Sequence, residues 1–414
     1  MALPIRERLG ALQEREFRLL FAATTVTTLG DAVAGIALAF AVLAVTHNSA
    51  TKLGLVLGAR AVANTALVLV GGVVADRLPR NLVLVGSSLV QAGAQATTAA
   101  LVLSGHATLG LLMALQALYG LADGFVVPAY VGLIPQTVGP ERLQQANALQ
   151  GLSRNIVWVV GPAIGGTLVV AGSPGIALGV DAASFVAAAL LLLEIRVLPA
   201  EQRGASFLHE LREGWREFAS QTWLWATVGL FGLGNFMWSG CWSVLGPAIA
   251  KQHLGGARAW TFVLVAFGIG SVLGGVAALR VTPSRPLVVS VLAPVPLTVQ
   301  LAALAFPAPA WALAAIAFVC GGGLAVHLAL WFTVFQQNVP AHARSRVSSY
   351  DALGSFVLIP LSLAVVGPIA AALGFRTTLL GAAAVDAACL LVMLAIPSVW
   401  AIRRPSAPTT MAAA

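Results

Sequence analysis

The chain alternates between long apolar stretches and short polar breaks from near its start to near its end. A helix needs about 20 mainly apolar residues to cross about 30 Å of hydrocarbon. That length predicts spans over residues 17–45, 53–75, 82–104, 107–130, 145–171 and 175–195. A polar stretch over 196–221 follows, and then spans over 222–250, 259–280, 286–306, 309–335, 346–372 and 377–400. Several are long enough to tilt in a bilayer. The expected division is a cytoplasmic segment (1–16), a six-helix bundle (17–195), a cytoplasmic linker (196–221), a second six-helix bundle (222–400) and a tail (401–414).

The two halves repeat one another. Gly71-Gly72-Val73-Val74-Ala75-Asp76-Arg77 matches Gly274-Gly275-Val276-Ala277-Ala278-Leu279-Arg280. Gly161-Pro162 and Val180-Asp181-Ala182-Ala183 match Gly367-Pro368 and Val385-Asp386-Ala387-Ala388. A nearly constant offset over such distances reads as a duplication. Parallel repeats with a site between them are one build of alternating-access transporters.

Composition agrees with a lipid environment. Hydrophobic residues make up 59% of the 414 residues and charged residues 9%, too few charges for the surface of a soluble domain this long. The net charge of +8 does not indicate nucleic-acid binding, because the cations lie in small groups between apolar runs and form no dense patch. They order the topology instead. With the N-terminus inside, seventeen of the 23 Lys and Arg fall in cytoplasmic segments, four outside and two within spans. By the positive-inside rule both termini are cytoplasmic, in a multi-pass protein of the cell (inner) membrane. The first sixteen residues mix Arg and Glu without a cleavage site, so the first apolar segment reads as a retained span. Cys241, Cys320 and Cys389 lie far apart, offering neither a metal spacing nor a disulfide framework.

The loop between spans two and three carries Gly72-Val73-Val74-Ala75-Asp76-Arg77-Leu78-Pro79-Arg80, which resembles the G-x-x-x-D-R-x-x-R signature of the major facilitator superfamily. Gly161-Pro162-Ala163-Ile164-Gly165-Gly166 resembles the core of its exporters' signature. Thr28-Leu29-Gly30-Asp31, and Ala146-Asn147-Ala148-Leu149 with Arg154-Asn155, look like its bacterial multidrug and siderophore exporter branch. The resemblance covers essentially the whole chain. It implies the major facilitator fold: twelve transmembrane helices in two pseudo-symmetric bundles around a central cavity. Two features depart from the exporter pattern. Gln116 stands where an Arg is usual, four residues before Gly120, and Val157 and Ala148 replace glycines ahead of Gly161.

Within this frame the residues carry separate expectations. Asp76, Arg77 and Arg80, with Gly72, form a candidate gating latch that bridges carboxylates, lipid phosphates or a helix N-terminus in one rocking state; ordinary anchoring is the plainer alternative. Gly161-Pro162 removes a helix hydrogen bond and favours a bend, so a gating hinge and static packing both fit. Ionisable residues inside spans are costly and need a reason. Asp31, near the middle of span one, is the candidate proton carrier, with local hydrogen bonding as the structural alternative. Asp123 and Arg154 lie at similar depth, where a fixed or switchable ion pair would satisfy both. Arg60 reaches toward Asp31 or the cavity. Asp181 and Asp386, duplicated and peripheral, read as structural. Trp158, Trp238 and Trp242, with Asn235, are a candidate pocket for amphipathic or cationic molecules. His327, the deep histidine, is either titratable or a core residue. Trp223, Trp225, Trp260, Trp311 and Trp400 read as an interface belt.

No enzyme constellation, no phosphate-cradling loop and no dinucleotide turn is legible. The expectation is a proton-coupled exporter of small amphipathic compounds such as drugs, antibiotics or siderophores. Its partners are the substrate, protons and membrane lipid; no cofactor, metal or nucleic acid is expected, and the chain reads as a monomer. Nutrient uptake, and a non-transporting membrane partner or sensor, are the alternatives.

Overall fold

The computed structural model describes residues 10–196, 207–306, 308–340 and 343–404. Among them the regular structure is helical throughout. The first half comprises α1 (Arg15–Val45), α2 (Ala50–Arg77), α3 (Arg80–Ser104), α4 (Leu109–Thr137), α5 (Leu143–Ala171) and α6 (Pro174–Leu193). An amphipathic helix, α7 (Phe207–Ser220), follows. The second half contains α8 (Thr222–Gly240), α9 (Ala257–Ala278), α10 (Pro286–Leu304), α11 (Ala310–Asn338), α12 (Arg344–Leu373) and α13 (Phe375–Ala395), closed by the short α14 (Pro397–Ala401). Nine helices among the described residues are long and apolar enough to cross a membrane. The other three expected spans fall on α2, α3 and α8.

Local chemistry sets the boundaries. Thr108 and Ser173 cap α4 and α6 by accepting from Leu111 N and Ile176 N, and Gly105 ends α3 in the left-handed region at φ 74°. Proline interrupts longer helices. The ring of Pro128 clashes with a continuous helix at the Gly124 carbonyl, and α4 breaks there into Leu109–Asp123 and Val126–Thr137. Pro360 does the same to α12, which splits into Arg344–Phe356 and Ile359–Leu373. Beyond α8 the chain stays helical to residue 254 but widens into π turns at Cys241–Leu245 and Ala250–Leu254.

The duplication is visible in the packing. Asp181 on α6 meets Gly30 of α1 and accepts from Gln95 of α3 at 2.7 Å. In the second half Asp386 on α13 meets Gly234 of α8 and accepts from Thr298 of α10. The same three-helix junction is built twice, and it keeps the structural sense read for both acids.

One buried apolar cluster joins the halves. It contains Val33–Leu43 from α1, Leu53, the 241–250 stretch, Trp260, Leu363 and Val366. The remaining clusters stay within single halves; the two largest run from Ala11 to Ile195 and from Phe218 to Val399. The halves meet through α2 on α12 and α5 on α9. Glycines allow that approach: a Cβ on Gly58 would lie 3.2 Å from Ala364 Cβ, and one on Gly268 2.7 Å from the Trp158 carbonyl. The halves are therefore sealed at the end holding the α1–α2 and α3–α4 turns. At the end holding Arg15, Glu194 and α7 each half has its own core.

Candidate functional site

Between the halves lies a cavity of about 570 Å³. Its first-half wall includes Arg60, Asn64, Asp123 and Pro162; the facing wall includes Trp242, Ser243, Trp260 and Phe356. Trp242 and Ser243 are carried by the first π turn, a local widening that often accompanies functional positions.

Close helix approach assembles the charged group behind the first-half wall. A Cβ on Gly120 would collide with the Arg60 carbonyl, and one on Gly124 would stand 2.9 Å from Leu67 Cβ. These two glycines, one helical turn apart, press α4 onto α2. Tyr119 and Asp123, beside them in sequence, are thereby set against Arg60 and Asn64. Asp31 completes the group from α1. Its Oδ1 accepts from Tyr119 Oη at 2.5 Å and from Arg60 Nη2 at 3.1 Å. The Arg60 guanidinium lies over the Tyr119 ring, 3.8 Å from its centroid, a cation–π contact that fixes the plane of the fork. Phe185 buttresses that ring edge-on at 5.7 Å. Asp31 and Arg60 side chains are 37% and 27% exposed, so the pair is enclosed but reachable.

Asp123 takes a different partner from the one expected. Asn64 Nδ2 donates to its Oδ2 at 2.9 Å and Gln91 Nε2 approaches Oδ1 at 3.5 Å. Arg154 is exposed and lines a separate cavity of about 220 Å³ that Asp31 and Asp123 also border. No ion pair between Asp123 and Arg154 is formed among the described residues; the carboxylate is held by the two neutral amides instead. Gln116 is fully buried and donates to Gln95 at 3.2 Å, which in turn donates to Asp181. At the position where an arginine was expected, this chain runs a neutral amide relay to a buried acid. Asp181 is 0% exposed, more enclosed than its peripheral reading implied.

The expected aromatic pocket does not gather in one place. Trp158 is 51% exposed, on the same stripe of α5 as Arg154 and Pro162, and stacks on no other ring among the described residues. Trp238 and Trp242 stack with centroids 5.1 Å apart, and Trp242 packs on Trp260 at 4.9 Å. Trp260, read as an interface residue, is buried and faces the cavity with Trp242, and Trp223 is buried against Trp331. Asn235 is used structurally, donating to the Ser355 carbonyl at 3.0 Å. His327 is 4% exposed, bonded to Ser290 and stacked on Phe231 in a separate small cavity.

Gly161 packs against Ala32 of α1, Gly165 against Val33, and Gly166 against Thr261 of the second half. This run thus docks α5 on two neighbours, while Pro162 borders the cavity. Of the loop signature, Arg80 donates to the Gly132 carbonyl at 2.6 Å, tying α3 to α4. The side chains of Asp76 and Arg77, and the surroundings of Gly72, lie outside what is described.

Comparison with known proteins gives a consistent picture. The sequence profile of the Major Facilitator Superfamily matches residues 20–362. The enterobactin exporter EntS of Escherichia coli O1:K1 / APEC is 28% identical over 385 residues, covering 88% of this chain and 90% of that one. The protein of the same name from Shigella boydii is 28% identical over 382 residues, with the same coverage. Among solved structures, a bacterial homologue of the iron transporter ferroportin in an inward-facing state superposes with a TM-score of 0.72 at 17% identity, covering 92% of this chain and 98% of that one. A bacterial homologue of the lysosomal transporter Spinster, inward-facing and unoccupied, gives 0.70 at 15% identity, with 95% and 99% covered.

Proposed function

The chain belongs to the major facilitator superfamily and is a membrane transporter rather than an enzyme, and from that premise we propose that it is a proton-coupled exporter of small amphipathic compounds. The observation that carries the reading is the Asp31–Arg60–Tyr119 group, set behind the wall of a cavity shared by both halves. A carboxylate paired with one arginine loses that partner's attraction when protonated. Arg60 is then freed to rearrange, and the energy difference between the two rocking states changes. Each proton moved down the membrane potential supplies about 2.3 kcal/mol per 100 mV, enough to bias such an equilibrium. Asp123, bordering both cavities, and Arg154 tune the electrostatics around Asp31.

Export is favoured because the similar full-length relatives are named enterobactin exporters. Trp242 and Trp260 suit the apolar, aromatic part of a substrate, and Arg60, Asn64 and Asp123 its polar part. Both termini are cytoplasmic by the charge count, which makes the sealed end periplasmic and the conformation inward-facing. The 1–16, 196–221 and 401–414 segments are then cytoplasmic, flanking bundles 17–195 and 222–400 in the inner membrane. The cavity uses one chain only, so a monomer suffices. Asp76, Arg77 and Arg80 close the cytoplasmic end when the bundles rock.

The test uses the purified protein in liposomes enclosing a pH-sensitive dye, with enterobactin and a panel of cationic, neutral and anionic amphiphiles. Expected is compound-dependent proton movement that disappears in Asp31→Asn while the variant still inserts and folds. Wild-type coupled flux by that variant would overturn the assignment of Asp31, and compound flux without proton movement would overturn the coupling.

A further inference from the structure

The first half contains its own polar crevice, the cavity of about 220 Å³, and every residue lining it comes from α1, α3, α4, α5 or α6. Its walls are rich in hydrogen-bonding groups, among them Thr24, Thr28, Gln91, Gln150, Ser153 and Arg154. The volume admits several water molecules, given about 10–15 Å³ of such space for each. It extends from Leu84 and Gln150, near the starts of α3 and α5, and Leu192, near the end of α6, up to Asp31 and Phe185. The central cavity, by contrast, is lined largely by apolar side chains of both halves.

The distribution of the charged residues between the two spaces is specific. Asp31 borders the crevice, Arg60 borders the central cavity, and Asp123 borders both. The Asp31–Arg60 contact therefore crosses the partition. The groups facing Asp31 are Arg60 from α2, Tyr119 and Asp123 from α4, neutral Gln91 from α3 and Arg154 from α5 within the crevice, and Asp181 from α6 behind Gly30. Within the crevice the charge of Arg154 is offset by the two acids. Along its wall Thr24 Oγ1 donates to Gln150 Oε1 at 3.2 Å, and Ser153 and Thr25 share a hydrogen bond of 2.8 Å. Gln150 Nε2 is buried with no partner among the described residues, an amide donor whose hydrogen bonds a bridging water would complete.

We propose that protons exchange with Asp31 through this crevice inside the first half, and not through the central cavity that receives the substrate. The two routes meet at the Asp31–Arg60 contact, so a bound substrate does not obstruct the proton. The proposal rests on Asp31 being the proton carrier.

The test follows the Asp31 carboxyl band by infrared spectroscopy after a pH jump, with the band assigned by its loss in Asp31→Asn. Ser153→Cys places a thiol in the crevice and Thr65→Cys one in the central cavity, while the native cysteines are buried. Each variant is compared before and after reaction with a trimethylammonium thiosulfonate reagent. Expected is a slowing of at least about tenfold on labelling at 153, equivalent to about 1.4 kcal/mol in the barrier, and no slowing on labelling at 65. Equal slowing at both positions, slowing at 65 alone, or none at either overturns the separate route. If no Asp31 band responds to the pH jump in the unlabelled protein, the proton-carrier reading itself falls, and this one with it.

Discussion

Two atoms hold Asp31, and they can be separated experimentally. Tyr119 contributes a hydroxyl to the carboxylate and an aromatic face to Arg60. Tyr119→Phe removes the first and keeps the second. A hydrogen bond to a charged group contributes about 1.5–3 kcal/mol to stability, so the variant should lose thermal stability, and coupled transport in liposomes should fall about tenfold or more because the same contact biases the rocking states. A fall in stability with unchanged transport would make the tyrosine a packing residue. Arg60→Met leaves Asp31 without its cation. Breaking a fully buried pair costs about 3–5 kcal/mol; with Asp31 37% and Arg60 27% exposed, solvent screening cuts this to about 1–2 kcal/mol, and the melting temperature in detergent should drop accordingly. It should recover in Arg60→Met with Asp31→Asn, because no charge is then stranded. Asp31 and Arg60 were legible in the sequence as charges inside apolar spans. Tyr119, Asn64 and Gln91 were not, since uncharged polar residues in a membrane helix are common enough to give no signal of their own.

At the scale of elements, the site depends on how near α4 comes to α2. Gly120→Ala inserts a methyl group into the Arg60 carbonyl and should destabilise the protein by about 1–3 kcal/mol through overpacking. Gly93→Ala on α3 meets nothing within 4 Å and should stay within about 0.5 kcal/mol of wild type or gain slightly from helix propensity. Differential scanning fluorimetry of the two variants checks the contrast. Spans were readable because a bilayer sets their length. Rotation about the helix axis was not, because lipid and protein interior both demand apolar side chains and a helix apolar all round has no marked face. Trp158 and Trp260 illustrate this. Depth suggested a pocket residue in the first case and an interface residue in the second; Trp158 is half exposed and joins no aromatic cluster among the described residues, while Trp260 is buried against Trp242. The break in α4 was equally hidden, although Pro128 supplies its physical cause.

For the whole molecule, the seal between halves is a pair of close helix contacts that rocking must open. Cysteines at 58 and 364 replace a glycine and an alanine whose β-carbon positions lie 3.2 Å apart, just short of the roughly 3.5–4.5 Å of a disulfide. The oxidised Gly58→Cys, Ala364→Cys protein should lose transport, and reductant should restore it; full transport while oxidised would show that α2 and α12 do not separate. The two halves also differ in what they kept. Asp181 and Asp386 sit at matching junctions, so that acid was inherited from the single six-helix ancestor before it was doubled. At the counterparts of Asp31 and Arg60, set by the same repeat offsets, stand Asn235 and Val263. Of the two copies, one carries the ionic pair, and its sister presents the aromatic surface of Trp242 and Trp260. A descendant of the unduplicated ancestor, assembled as a symmetric dimer, would carry the Asp181-type junction in both subunits and have no such division of labour.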